Sequence, residues 1–155
     1  MISDTVSVVV PAYNCSGTIK SSVDSVLAQS IPTKVIVVDD CSSDNTLEVL
    51  SCYTGDPRVN IVRNESNLGV AASRNKGVAM AESKYVAFID SDDMWLPDKL
   101  EKQLELVKRT GAVLCSTARE LISEDGKRTG RIIEVPERVT YSKLLRGNVI
   151  NCSSV

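Results

Sequence analysis

Short β-branched runs alternate along this chain with longer stretches in which apolar residues recur every three or four positions. Residues 6–10 (Val-Ser-Val-Val-Val) form the first run and end at Pro11. Between residues 16 and 30, Ile19, Val23, Val26 and Leu27 fall at i, i+4, i+7 and i+8, one face of a helix, with Pro32 beyond its end. Residues 35–38 (Val-Ile-Val-Val) predict a second buried strand that runs straight into Asp39 and Asp40. Ser42 or Ser43 is placed to cap the next helix, whose inner face carries Leu47 and Leu50. A third strand is predicted over 59–62, an Ala-rich helix interrupted by Gly77 over 69–82, and a fourth strand over 85–89 that ends on another acidic cluster. Pro97 suits the first position of a helix carrying Leu100, Leu104 and Val107. Residues 112–115 (Ala-Val-Leu-Cys) predict a fifth strand. Beyond it, Asp125-Gly126 between two extended stretches predicts a hairpin, 141–145 a short helix and 149–155 a last strand.

Strands alternating with helices of this length predict an α/β fold, a mostly parallel sheet with helices on both faces. A C-terminal β-hairpin region follows it. Residues 1–116 are expected to form the α/β unit and 117–155 the hairpin, helix and strand, all within one compact domain. At 155 residues the chain is long enough to bury a core. Formal net charge is −2, from 18 basic and 20 acidic residues, which lacks the basic excess of an electrostatic nucleic-acid binder. No apolar run approaches the roughly 20 residues of a membrane helix. The first five residues lack the basic and apolar regions of a signal peptide, so a cytoplasmic protein is expected, with peripheral membrane contact left open.

Cysteine and histidine usage narrows the chemistry. Cys15, Cys41, Cys52, Cys115 and Cys152 form no C-x-x-C pair, which fits reduced thiols better than a disulfide framework or a zinc site. Cys15 and Cys41 are expected close together as small buried hydrophobes. Histidine is absent, which removes imidazole acid–base chemistry and Ser-His-Asp or Cys-His catalysis. Reactivity falls to carboxylates, hydroxyls, Lys, Arg and a metal ion.

In open parallel sheets ligands bind beyond the carboxyl ends of the strands. Those ends carry Pro11-Ala12-Tyr13-Asn14, Asp39-Asp40 and Asp90-Ser91-Asp92-Asp93. Carboxylates crowded on one edge repel unless something positive compensates, and Mg²⁺ or Mn²⁺ does so through hard oxygen ligands. Asp39-Asp40 alone also suits plain capping of the following helix, whereas the carboxylates of 90–93 exceed what one cap needs. Only Gly17 lies near the end of the first strand, so G-x-G-x-x-G is missing, as is G-x-x-x-x-G-K-S/T. A nucleotide here would be held by side chains and a metal.

The stretches 6–14, 37–44 (Val-Val-Asp-Asp-Cys-Ser-Ser-Asp), 67–77 (Asn-Leu-Gly-Val-Ala-Ala-Ser-Arg-Asn-Lys-Gly) and 88–93 (Phe-Ile-Asp-Ser-Asp-Asp) occur in that order. Together they resemble the family 2 glycosyltransferases of the GT-A fold, inverting enzymes that use nucleotide-diphospho-sugars, over residues 6–110. The resemblance implies that Pro11, Ala12 and Tyr13 wall the base pocket with Asn14 beside them. Tyr13 either stacks on the base or is an ordinary half-buried aromatic. Asp40, with Asp39 close by, accepts a hydrogen bond from the base, and either of the pair is able to make it. Arg74 lies near the diphosphate or orders the acidic edge, the alternative being an exposed surface ion pair. Lys76 reads as a solvated helix residue. Asp90-Ser91-Asp92 matches the D-x-D motif, with Asp92 as direct metal ligand and Asp90 nearer the ribose or a metal-bound water. Asp93 orients this shell, and Trp95 packs or forms a pocket edge.

The implied reaction is inverting, metal-assisted sugar transfer from a nucleotide-diphospho-sugar to an acceptor hydroxyl. A UDP-sugar is the first expectation, and a glycan, a lipid-linked sugar or another hydroxyl compound the acceptor, as in polysaccharide synthesis. In such enzymes the general base follows the strand resembling 148–155. The chain is therefore expected to be the donor-binding portion of a longer enzyme, with its base beyond Val155. Glu134 and Glu137 are substitutes only by position. A nucleotide-sugar-binding domain without turnover is the alternative. A receiver-like signalling domain fits worse, because the acidic pair lies on the second strand and Cys115-Ser116 stands where a lysine belongs.

Overall fold

The computed structural model describes residues 5–123 and 126–155. Strands β1 (Val6–Ala12), β2 (Thr33–Asp39), β3 (Val59–Arg63) and β4 (Tyr85–Phe88) form one parallel sheet in the order β3-β2-β1-β4. The two central strands are the richest in valine, and every residue of β1 is buried, as a strand covered on both faces requires. Helices α1 (Ile19–Leu27), α2 (Thr46–Leu50), α3 (Val70–Met80) and α4 (Lys99–Thr110) make the connections.

Alternation along the strands divides the core. Val8, Val10, Val35, Val37 and Ala87 cluster with Ile19, Val23 and Val26 of α1 and with Leu100 and Leu104 of α4. The opposite face lies under α3, which packs on β1 and β2. Gly77 makes that approach possible, since a Cβ there would stand 2.3 Å from Cγ1 of the fully buried Val9. The glycine that weakens the helix pattern in the sequence is thus a packing requirement.

The edge beyond β4 differs from the sequence reading. Residues 112–115 form no strand, and Val113 is fully exposed. Gly111 ends α4 in a left-handed conformation, and the Cys115 carbonyl is taken by Gln103 Nε2 at 2.9 Å. Residues 149–155 are not a strand either, but a bend closing in the 3₁₀ turn Cys152–Ser154. The Asn151 side chain accepts from Ser153 N, the local capping that short polar residues prefer to a ladder. This turn covers the end of β4: Phe88 N donates to Val155 O at 3.2 Å, and Asp90 N to Ser153 Oγ at 2.9 Å.

Two helix starts also move. Helix α2 begins at Thr46, not behind Ser42 or Ser43, because Asp44 supplies the acceptor, taking Thr46 N at 3.0 Å and Thr46 Oγ1 at 2.5 Å. Pro97 precedes α4 by two residues; Gln29 secures that start, donating to Leu96 O at 2.8 Å and accepting from Leu100 N at 3.0 Å. The hairpin is present as β5 (Arg119–Ile122) paired antiparallel with β6 (Arg128–Ile133), though Asp125 of its expected turn lies outside the described residues. A short helix α5 (Tyr141–Leu144) follows. Among the described residues no helix is long and apolar enough to cross a membrane.

Lys99, at the start of α4, is buried beneath Trp95 with its Nζ 3.9 Å from the ring centroid and 2.6 Å from Gln103 Oε1. Burial pushes its amine down to about 7, against a slight opposing pull from Cys115. With the folded value below the unfolded one, the unfolded chain binds more protons between about pH 7 and 10.5. Stability contributed by this group therefore rises with pH across that window and is lost as pH falls toward 7. Urea unfolding at pH 7 and pH 10 is expected to show a smaller gain on alkalinisation in Lys99→Met than in the parent chain.

Candidate functional site

The carboxyl ends of β1, β2 and β4 and the first turns of α3 enclose a cavity of about 410 Å³. Pro11, Ala12, Tyr13, Asp40, Arg74, Asp90, Ser91 and Asp92 line it, joined by Asn67, Gly69, Val70 and Ser73. Of the residues expected here from sequence, Asn14 and Asp39 are not in the wall. Asn14 instead ties two strand ends together, its N donating to Ser42 Oγ at 2.9 Å and its Oδ1 accepting from Ser43 N at 2.8 Å. Both it and Cys41 hold left-handed backbone, at φ 47° and 64°, an uncommon conformation for side chains other than glycine. The loops at this edge are therefore tightly shaped.

The acidic pair divides its duties. Asp39 is fully buried and pairs through Oδ2 with Arg63 Nε at 3.3 Å, while its Oδ1 has no hydrogen-bond partner among the described residues. Asp40 stands in the cavity wall with Oδ1 accepting from Asn64 Nδ2 (2.7 Å) and Leu68 N (2.9 Å), and Oδ2 from Gly69 N (2.7 Å). Burial pushes this carboxyl up, but the hydrogen bonds from Asn64, Leu68, Gly69 and Ser73 outweigh it and hold it below the ordinary carboxylate range. A carboxylate offers about four acceptor positions. Asn64, Leu68, Gly69 and Ser73 all bear on them, so a base would share an oxygen with one of these donors.

Across the cavity Arg74 donates to Asp90 Oδ1 at 2.5 Å, each side chain about two-thirds or more buried. Arg74 Nε is buried without a partner among the described residues. Asp92 is exposed and Asp90 half-buried. Asp93 is hydrogen-bonded to Ser153; burial, followed by the charges of Asp92 and Asp90, pushes its carboxyl up. Its backbone closes the turn, donating to Asp90 O at 3.1 Å and accepting from Ser22 Oγ at 2.7 Å. Trp95 is in the core and donates to Ser153 O at 2.7 Å, as its packing role requires.

Positive elements face these acids. The N-terminus of α3 opens on the cavity through Gly69 and Val70, and Gly69 has no side chain with which to cap it. Its φ of 86° and ψ of 160° belong to a region open essentially to glycine. Helix N-termini favour anions. Among the described residues no group of three or more His, Cys, Asp or Glu side chains is gathered for a metal. The exposed Asp92 and half-buried Asp90 are hard oxygen donors, the type that Mg²⁺ and Mn²⁺ take.

Several participants have no motif to announce them. Asn64 and Ser153 act through hydrogen bonds to Asp40 and Asp90, and only the fold brings Ser153 to the site. Lys76, expected to be solvated, is exposed yet donates to Asn64 Oδ1 at 2.8 Å and Arg63 O at 3.2 Å. Cys15 and Cys41 are half-buried, and Cys15 packs against the core. Glu134 and Glu137 are exposed and outside the cavity wall.

The family model for Glycosyl transferase family 2 matches residues 7–154. The chain belongs to this family. TuaG of Bacillus subtilis strain 168, a candidate teichuronic acid biosynthesis glycosyltransferase, is 43% identical over 97% of this chain and 60% of its own length. WfgD of Escherichia coli, a UDP-Glc:α-D-GlcNAc-diphosphoundecaprenol β-1,3-glucosyltransferase, is 36% identical over 97% of this chain and 58% of its own. The chain thus spans about three fifths of these relatives. Staphylococcus aureus TarS 1–349, solved with UDP-GlcNAc, superposes with a TM-score of 0.64 at 28% identity, covering 76% of this chain and 40% of that one. A mannosyltransferase of Pyrobaculum calidifontis, solved with GDP-Man and Mn²⁺, shares the fold at a TM-score of 0.62 and 23% identity, covering 73% of this chain and 33% of its own.

Proposed function

We propose that this chain is the donor-binding part of an inverting glycosyltransferase and takes a nucleoside-diphosphate sugar, with uracil as the base, into the 410 Å³ cavity. The observation that carries the reading is Asp40, an ionised acceptor that lines the same cavity as the half-exposed ring of Tyr13. Such an acceptor suits a base that presents a ring N–H, and an exposed ring suits stacking. Pro11 and Ala12 complete that wall. Arg74 and the α3 N-terminus stand where the diphosphate lies, with Asp90 and Ser91 beside the ribose.

Asp92, with help from Asp90, would hold Mg²⁺ or Mn²⁺ together with the phosphates. Bound there, the ion supplies Lewis-acid stabilisation of the departing diphosphate. Arg74, kept in place by Asp90, adds a fixed positive charge at the same end of the cavity. The acceptor hydroxyl must attack from the opposite side with a base within hydrogen-bond reach. We assign that base outside these 155 residues, since Glu134 and Glu137 are not in the cavity wall. Residues 1–116 act as the donor unit and 117–155 begin the acceptor side, where a glycan, lipid-linked sugar or other hydroxyl compound would be received. The five free cysteines suit a reducing, cytoplasmic setting.

Calorimetric titration with UDP, GDP and dTDP in Mn²⁺ and then in EDTA tests this. Metal-dependent UDP binding is expected, weakened at least ~30-fold by EDTA or by Asp92→Ala, since either would remove the positive charge held against the phosphates. Equal binding with and without metal, or none at all by a folded sample, would overturn the reading.

A further inference from the structure

We propose that Lys76 and Asn64 are positioning residues that fix Asp40 as a hydrogen-bond acceptor and so set the preference for a base bearing a ring N–H. The inference rests on the nucleotide site described above and extends it to two side chains outside the cavity wall.

Asn64 is 4% exposed, so its amide must find partners inside the protein. Its Nδ2 donates to Asp40 Oδ1 at 2.7 Å and to Ser73 Oγ at 3.1 Å, and its Oδ1 accepts from Lys76 Nζ at 2.8 Å. An asparagine amide has two ends of nearly equal shape, and only its partners decide which way it points. An ammonium group can only donate. Lys76 therefore obliges Asn64 to present oxygen to its ammonium and NH₂ to Asp40 and Ser73. In the reverse orientation the amide oxygen would meet the carboxylate, and Asp40 would have to take up a proton to hold the contact. A protonated Asp40 offers a donor, which suits the unprotonated ring nitrogen of cytosine better than the N–H of uracil. The direction of one exposed lysine's hydrogen bond is thus transmitted through a buried amide to the polarity of the base contact.

The roles of these groups separate in a test on the intact chain. Lys76→Met keeps the aliphatic stem and removes the donor; Lys76→Arg keeps a side chain that only donates. UDP and CDP affinities are measured by calorimetry in Mn²⁺ for all three proteins, with thermal melts as the folding control, the exposed position of Lys76 making a folded Met variant the expected result. UDP binding is expected to weaken ~5–10-fold in Lys76→Met, about the size of one ordinary hydrogen bond. The UDP-over-CDP preference narrows with it, and Lys76→Arg restores both. A merely structural lysine would change the melting temperature or weaken both nucleotides alike, leaving their ratio untouched. That outcome, or an unaltered Met variant, overturns the relay while leaving the site standing. A parent chain that binds neither nucleotide overturns the site and the relay with it.

Discussion

Asp40→Asn is expected to weaken UDP binding by ~100-fold or more while leaving a folded protein, because the substitution keeps shape and reverses polarity. If the new amide keeps its oxygen toward Asn64 and Leu68, which now donate at 2.7 and 2.9 Å, its NH₂ replaces Oδ2. That NH₂ then faces Gly69 N–H, a donor 2.7 Å from the present Oδ2, and faces the N–H of an incoming uracil as well. Buried donors set against donors cost about 1–3 kcal/mol each, more where a charge was lost; the Gly69 contact lowers stability in the free protein, and the uracil contact lowers affinity. The same exchange favours a base whose ring nitrogen accepts, so CDP should lose far less than UDP. Parallel titrations with the two nucleotides check both statements. Equal losses would show that Asp40 holds only the Leu68–Gly69 loop and not the base. Acid unfolding gives an independent reading. A carboxyl held below its ordinary value contributes stability that is complete above the unfolded pKa near 3.8 and lost as pH falls through the folded one. The Asn variant lacks that contribution at every pH.

The sheet and the main site groups were legible because their signals are local. Valine runs buried on both faces fix β1 and β2, and the acidic clusters at the ends of β2 and β4 need only chain order to reach one edge. What the sequence hides is how the groups at that edge share the work. Asp39 and Asp40 are neighbours of identical chemistry, yet one is sealed beneath Arg63 and the other stands in the wall. Asn14 belongs to the motif and was expected at the nucleotide, but its oxygen is spent on the 42–44 loop. The two failed strands have separate causes, and at 149–155 it is the Asn151 cap that closes a turn instead. Residues 112–115 have the composition of a strand, but the space at the end of β4 is occupied by the turn at 152–154. Tertiary competition for a sheet edge leaves no trace in local propensity. The bond made by Lys76 was hidden for a similar reason: an exposed lysine on a helix is ordinary, and its partner Asn64 lies 12 positions earlier, beyond the end of β3.

Gly77→Ala is expected to destabilise the protein although alanine is the better helix former. In the middle of an exposed helix the exchange gains about 1 kcal/mol. Here the added methyl stands 2.3 Å from Cγ1 and 3.0 Å from Cγ2 of Val9, whose side chain is β-branched and fully buried in the central strand. Val9 is restricted at χ1 and fully buried, so α3 must lift off the sheet. Overpacking of this kind costs about 1–3 kcal/mol and exceeds the propensity gain. Urea unfolding should show a net loss of up to ~2 kcal/mol. Shortening the neighbour discriminates this cause from any other. Val9→Ala alone loses buried apolar contacts, but in the double variant the alanine at 77 fills part of the vacated space. The two changes should therefore couple favourably by ~1 kcal/mol or more. Additive losses would mean that the helix does not sit as close to β1 as the 2.3 Å approach requires. The consequence reaches the site, because Ser73 and Arg74 ride on the same helix one turn earlier. A helix displaced at 77 carries Arg74 away from Asp90, and nucleotide binding should weaken in Gly77→Ala and recover in the double variant. Recovery of stability without recovery of binding would separate the packing of α3 from its role in placing Arg74.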